Sequence, residues 1–283
     1  MVKSYNTLLL GVYTPIEVSL DALPNSAETA LADALRKLAQ PGFEAALWQL
    51  FRRVAAPDNL VVLAYRDTGA PQILHLQSDH PGVFAQLDAT YLAGAYLLDP
   101  FYDMHIARVG TGCYRLRDVA PDAFVRSRYF IEYYEQTTLI DEITFVAYPT
   151  PRVSLNLCIG RDATSDQTFS PRQIEACQRI APIICALAEA HWHGLITTAA
   201  PADDLAQALA RALKTAHGVA VSPRQAEVAL LILRGHSTVS IALRLGVAAQ
   251  TVKVFRKQLY RRCGISSQAE LFALMLPLLK EAG

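Results

Sequence analysis

The sequence predicts two domains of different class: an α+β domain with an antiparallel sheet and flanking helices, then an all-α domain of four helices. Three observations carry this. Two pairs of short apolar runs, each pair split by a proline-containing turn, read as hairpins before residue 160. Helix caps and helical periodicity crowd into residues 218–283. Charge divides along the same line. The 283 residues balance 26 Lys or Arg against 26 Asp or Glu. From His217 onward, however, nine basic residues face three acidic ones, about +6, and the preceding part carries 17 against 23, about −6. A split of this kind suggests a basic module that meets a polyanion, attached to a module that does not.

In chain order, helices are expected at 27–39 and 43–54. Leu60–Arg66 and Gln72–Gln77 then flank Asp67-Thr68-Gly69-Ala70-Pro71 as a hairpin. Further helices are expected at 81–108 and 121–137. Ile143–Tyr148 and Val153–Ile159 flank Pro149-Thr150-Pro151 as a second hairpin. In its second strand Val153, Leu155, Leu157 and Ile159 alternate with Ser154, Asn156 and Cys158, a period of two. A long helix at 171–193 starts from Ser170-Pro171-Arg172-Gln173, and the same four residue types recur at Ser222–Gln225. Each places Ser at the N-cap, Pro at the first helical position and Gln where it can close a capping box. Between them, Thr197-Thr198-Ala199-Ala200-Pro201 reads as a linker. Leu205, Leu209 and Leu213, four residues apart, then give a short amphipathic helix. The expected division is 1–196, a 197–217 linker and 218–283.

Several classes are excluded. The hydrophobic fraction of 52% is ample for packed cores. No apolar run reaches the 18 or so residues needed to span a bilayer; the richest, Ile180–Ala188, contains Pro182. The N-terminus lacks a secretory signal pattern. Cys113, Cys158, Cys177, Cys185 and Cys263 are scattered and never form a CxxC pair, as expected for reduced thiols. The expectation is a cytoplasmic protein without a membrane partner. No phosphate loop, HExxH, GxSxG or Cys–His context is present, so neither catalysis nor a metal or other cofactor is expected. His191 and His193 point apart on a helix, and Cys177 and Cys185 sit about 12 Å apart along one, too far for a disulfide.

The C-terminal helices are expected at Ser222–Arg234, Val239–Leu245, Ala248–Arg262 and from Ser267 on, with Gly246 at the tight turn. Two short helices, a glycine turn and a basic helix make a helix-turn-helix. In the basic helix, Val252, Phe255, Leu259 and Cys263 share the inward face. Gln250, Thr251, Lys253, Val254 and Lys257 are free to enter a major groove. Arg256, Arg261 and Arg262 flank them where phosphates would lie. Amide and cationic donors at base edges, with cations on the backbone, are what duplex DNA requires.

These residues resemble the LuxR-type (NarL- or GerE-type) DNA-binding domain. The resemblance covers residues 221–276 and rests on Val221–Val228, Gly235-His236-Ser237-Thr238 with Ile241-Ala242, Leu245-Gly246-Val247, Thr251-Val252-Lys253 and Cys263–Leu271. Gln225, Ala229, Phe255, Ala248 and Gln268 depart from its usual residues. A helix-turn-helix monomer covers one half-site, so a homodimer on an inverted-repeat operator of double-stranded DNA is expected, with most of its contact from the N-terminal domain through the 171–193 helix. The resemblance also implies dimer contacts through the fourth helix, from which Phe272, Leu276 and Leu279 would project.

For residues 1–196, a phospho-acceptor receiver is excluded, because hairpins replace βα alternation. Asp99-Pro100 with Tyr91 resembles the autoinducer-binding domains of LuxR-type quorum-sensing regulators, where the Asp holds the amide of an acyl-homoserine lactone. Leu87 stands where that family has Trp, and the spacing is one residue short. Asp99–Tyr102, Ser127–Phe130, Tyr133-Tyr134 and Asp141-Glu142 resemble LuxR-type regulators with a GAF-like domain. Both resemblances imply a small-molecule effector. Its candidate contacts are Tyr91, Asp99, Phe101, Tyr102, Tyr129, Tyr133 and Glu142, since aromatics with a polar end suit a closed site. Two other readings stay open at this point. The tyrosines would serve equally as core, with Asp99 capping the helix that Pro100 begins, and the regulator would then be ligand-independent.

Overall fold

The computed structural model describes residues 25–66, 69–196 and 204–282. The turn residues Asp67 and Thr68 and the linker stretch Thr197–Pro201 lie outside them. Helices α1 (Asn25–Arg36) and α2 (Phe43–Val54) lead into β1 (Asn59–Arg66) and β2 (Gln72–Ser78), the first expected hairpin. After α3 (Pro100–Ala107) come β3 (Gly112–Arg115), α4 (Leu116–Val119) and α5 (Arg128–Glu132). The second hairpin follows, β4 (Leu139–Thr150) and β5 (Val153–Asp162), then α6 (Pro171–His191). Every strand pair is antiparallel, in the order β2-β1-β5-β4-β3.

β5 lies at the centre and is buried along its whole length, because both faces of the sheet are covered. On one face Leu60 and Val62 of β1, Phe145 of β4 and Leu155 and Leu157 of β5 pack with α1, α2 and α6. Each such side chain is worth about 1.5–3 kcal/mol of burial. The other face, through Leu63 and Tyr65, meets a tyrosine-rich layer from residues 87–134. The polar positions of β5 are therefore enclosed, and Ser154 Oγ lies 2.7 Å from Nδ1 of the buried His105.

That second layer corrects two expectations. Residues 81–108 do not form one helix: single turns at Pro81–Phe84, Leu87–Tyr91 and Ala95–Leu98 precede α3. Gly94 at φ 133° and the extended Asp99 before Pro100 break the run. Residues 121–137 likewise divide into short turns around α5, interrupted by extended Ser127. Brief turns let tyrosines from many points of the chain converge under the sheet.

The C-terminal domain contains α8 (Pro223–Leu233), α9 (Thr238–Leu245), α10 (Ala249–Cys263) and α11 (Gln268–Ala282). Both Ser-Pro-Arg-Gln segments close as capping boxes at α6 and α8. Gly246 takes the left-handed conformation, φ 64°, and α9 and α10 meet at 106°, within the helix-turn-helix range. The amphipathic helix expected in the 197–217 stretch is α7 (Leu205–His217). It packs on α8 and α11 with Leu209 and Leu213 fully buried.

The expectation that Phe272, Leu276 and Leu279 project from α11 is corrected. Phe272 and Leu279 are buried and Leu276 half-buried, because α11 packs on α7, α8, α5 and the 95–98 turn of its own chain.

Leu213→Ala is expected to cost about 2–4 kcal/mol in urea denaturation of the C-terminal domain. A cost below about 0.5 kcal/mol, as at a solvated linker position, contradicts this packing.

Candidate functional site

Between β1, β5 and the tyrosine layer lies a narrow cavity of ≈ 60 Å³. β1 contributes Asn59, Val61, Leu63 and Tyr65, and β5 contributes Cys158. Tyr91, Asp99, Phe101, Tyr133 and Glu142, five of the seven effector contacts expected from sequence, line it too, as do Tyr134, Thr137 and Leu139.

The other two expected residues sit elsewhere. Tyr129 lies behind the wall, and its hydroxyl donates to Asp99 Oδ2 at 3.3 Å. Tyr102 packs near Tyr65 of β1, ring centroids 5.8 Å apart, and borders a groove between the domains with Arg234 and Arg244. Sequence reasoning missed Asn59, Leu63 and Cys158, which reach the cavity only through strand pairing. Alternation in β1 and β5 was the available signal.

Asp99 has two roles. Its Oδ1 accepts the Phe101 amide at 2.7 Å, capping α3, while the carboxyl faces the cavity. Glu142 Oε2 accepts the Tyr134 hydroxyl at 2.6 Å, and the Tyr65 and Tyr91 hydroxyls share a hydrogen bond. Burial pushes Asp99 up to about 6, against the lowering effect of the Phe101 amide and of the Tyr91 and Tyr129 hydroxyls. Burial, then the charge of Asp99, pushes Glu142 up to about 7. Burial also holds Tyr65, Tyr91, Tyr129 and Tyr134 well above the ordinary phenol value, so they remain donors.

On α10, Val252 and Leu259 are buried and Phe255 and Cys263 half-buried, as expected for the inward face. Gln250, Lys253, Val254, Lys257 and Arg261 are exposed and Thr251 is half-exposed. Arg256 and Arg262 are exposed too, and each also has a partner within the chain. Arg262 Nη1 donates to Ala220 O at 3.1 Å and to Gln225 Oε1 at 2.9 Å. Arg256 lies over the Tyr260 ring and shares a groove with Ala123 and Arg126 of the N-terminal domain.

Three of the five departures from the usual LuxR-type residues have local accounts. Gln225 donates to Gln258 Oε1 at 3.0 Å. Gln268 donates to Ile232 O at 3.1 Å. Ala248 leaves α10 without a side-chain cap.

The two domains meet at the end of α8. Arg234 pairs with Asp103, and its Nε and Nη2 donate to Leu97 O at 3.2 and 3.1 Å. Its side chain is only 12% exposed. Next to it the Ala123 amide donates to Gly235 O at 3.0 Å, and the Ser237 amide donates to Asp122 Oδ1 at 2.9 Å. Gly235, at φ 91°, lies so close that a Cβ would come within 2.8 Å of Phe124 Cα. Leu97 and Asp103 bracket Asp99, so the 97–103 segment lines the cavity on one side and holds Arg234 on the other.

Residues 219–275 match the model of the bacterial regulatory proteins of the luxR family. The C-terminal domain is a LuxR-type helix-turn-helix domain. A protein of Aeromonas salmonicida, described as an HTH-type transcriptional regulator in the exeN 3′ region, is 28% identical over 184 residues, 63% of this chain and 93% of that protein. The crystal structure of the VqsR LBD domain from Pseudomonas aeruginosa aligns with a TM-score of 0.51 at 24% identity, over 61% of this chain and 100% of that one. The N-terminal domain shares its fold. Escherichia coli SdiA aligns over 89% of this chain and 97% of its own, at 14% identity and a TM-score of 0.41.

Asp99 and Glu142 bind protons more readily folded than unfolded, where carboxyls titrate near 4. Their contribution to stability is therefore fully present below about pH 4. It is lost as pH rises through about 6 to 7. Glu142→Gln imitates the protonated form, so its thermal midpoint should fall less between pH 5 and 8 than that of the parent. The difference should be at most on the order of 3 kcal/mol. Identical pH profiles contradict the burial of this carboxyl.

Proposed function

We propose that this protein is a homodimeric, cytoplasmic transcription regulator, not an enzyme, that reads an inverted repeat of double-stranded DNA and is controlled by a small molecule in the Asp99–Glu142 cavity. The carrying observation is the exposed face of α10, where Gln250, Lys253, Lys257 and Arg261 stand clear of the chain on a LuxR-type domain. Gln250, Thr251, Lys253, Val254 and Lys257 form the major-groove face. Arg256, Arg261 and Arg262 lie toward the phosphates, with Arg256 and Arg262 exchanging their present partners for them.

A helix-turn-helix monomer covers one half-site, which argues for a dimer. With α11 packed on its own chain, the dimer contact falls on α6, whose Arg172, Arg179, Pro182, Ile183 and Ala186 are exposed. The expected division at 1–196 and 218–283 stands as part of this proposal, with α7 of the connecting 197–217 stretch docked on the C-terminal domain. No single helix among the described residues is long and apolar enough to cross a membrane.

Control runs through the 97–103 segment. A ligand that shifts Asp99 or Phe101 shifts Leu97 O and Asp103, and with them the seat of Arg234. The position of α10 relative to the N-terminal domain then changes, and so does the fit of a dimer to its two half-sites.

Lys253→Ala and Lys257→Ala should each cost roughly 1–3 kcal/mol of operator affinity where the lysine reads a base. Arg261→Ala should weaken binding to all sequences alike and flatten the salt dependence by about one unit of slope. Titration of operator and random DNA at several salt concentrations separates these effects. Unchanged affinity in both lysine variants contradicts the placement of α10 in the groove.

A further inference from the structure

Among the other buried and half-buried acids of the N-terminal domain, Asp162 is held by the Asn59 side-chain amide and the Thr164 backbone amide, and three more are matched by an arginine. Asp141 pairs with Arg115 at 2.7 Å, Asp58 with Arg161 at 3.3 Å, and Asp103 with Arg234. Asp99 and Glu142 have neither an arginine nor a side-chain amide as partner. They are 4% and 8% exposed, they open on the same cavity, and no Lys, Arg or His is among the described residues that line it. Their partners are a backbone amide and phenol hydroxyls. The wall around them carries the aromatic residues Tyr65, Tyr91, Phe101, Tyr133 and Tyr134 beside aliphatic Val61, Leu63 and Leu139.

Two carboxyls exceed what one neutral amide or hydroxyl would satisfy. Together, in a wall rich in aromatic residues, they make an environment that attracts a cation. We infer that the effector is a cationic amine on a small apolar body, its ammonium held between Asp99 and Glu142 and its body against the tyrosine walls. The inference rests on the reading of this cavity as the effector site.

Direct binding to the full chain tests it, with methylamine and ethylamine, which suit a cavity of ≈ 60 Å³, compared with methanol and ethanol of the same shape, and with acetamide. The expected result is at least tenfold tighter binding of each amine than of its alcohol, with most of that preference removed by Glu142→Gln. Val61→Phe, which fills the cavity, should abolish binding. The amine–alcohol comparison needs no variant, so it holds even where a substitution impairs folding. Binding of the alcohols or acetamide as tightly as the amines, abolished by Val61→Phe, overturns the cationic class and leaves the cavity as the effector site. Binding of any probe that survives Val61→Phe overturns both, and so does the failure of every probe to bind.

Discussion

Asp99 is the constraint on which much of the rest depends. One carboxyl caps α3 through the Phe101 amide, receives the Tyr129 hydroxyl and faces the cavity. It does this from full burial, where a charged carboxyl costs several kcal/mol unless donors surround it. The donors are the same tyrosines that form the second layer under the sheet. Cap, cavity and layer therefore stand together, and the interruption of the 81–108 region by short turns follows from the need to bring those hydroxyls to one place.

The seam between the domains uses the outer side of the same segment. A buried arginine is tolerated only with its charge paired and its other donors satisfied, and Arg234 meets both conditions on Asp103 and Leu97 O. Gly235 then brings the backbone against Phe124, where any side chain would hold the domains apart. The LuxR-type domain thus contacts the element that walls the cavity. Coupling between two sites requires a shared element whose position both of them bias, and residues 97–103 have that placement.

Much of this was legible in the sequence where the signal is local. The two Ser-Pro-Arg-Gln caps, the Gly246 turn, both hairpins and the faces of α10 depend on residues a few positions apart. Asp99-Pro100 was legible as a helix start. What was not legible depends on distant pairing. Arg234 and Leu97 are 137 residues apart, and nothing near either marks the other. The cavity wall from Asn59, Leu63 and Cys158 exists only through the β1–β5 register. Phe272 and Leu279 look like a surface stripe until α5 and the 95–98 turn are set against α11.

Hydrogen exchange of the full chain, with and without Arg234→Met, tests most directly whether seam and cavity form one unit. Removing one partner of a buried pair costs roughly 3 kcal/mol. The account predicts that the amides of Ala123 and Ser237 at the seam and of Phe101 at the cavity cap speed up together, by about 100-fold. Faster exchange at Ala123 and Ser237 with Phe101 unchanged would show that the two are separate, and would contradict control through the 97–103 segment.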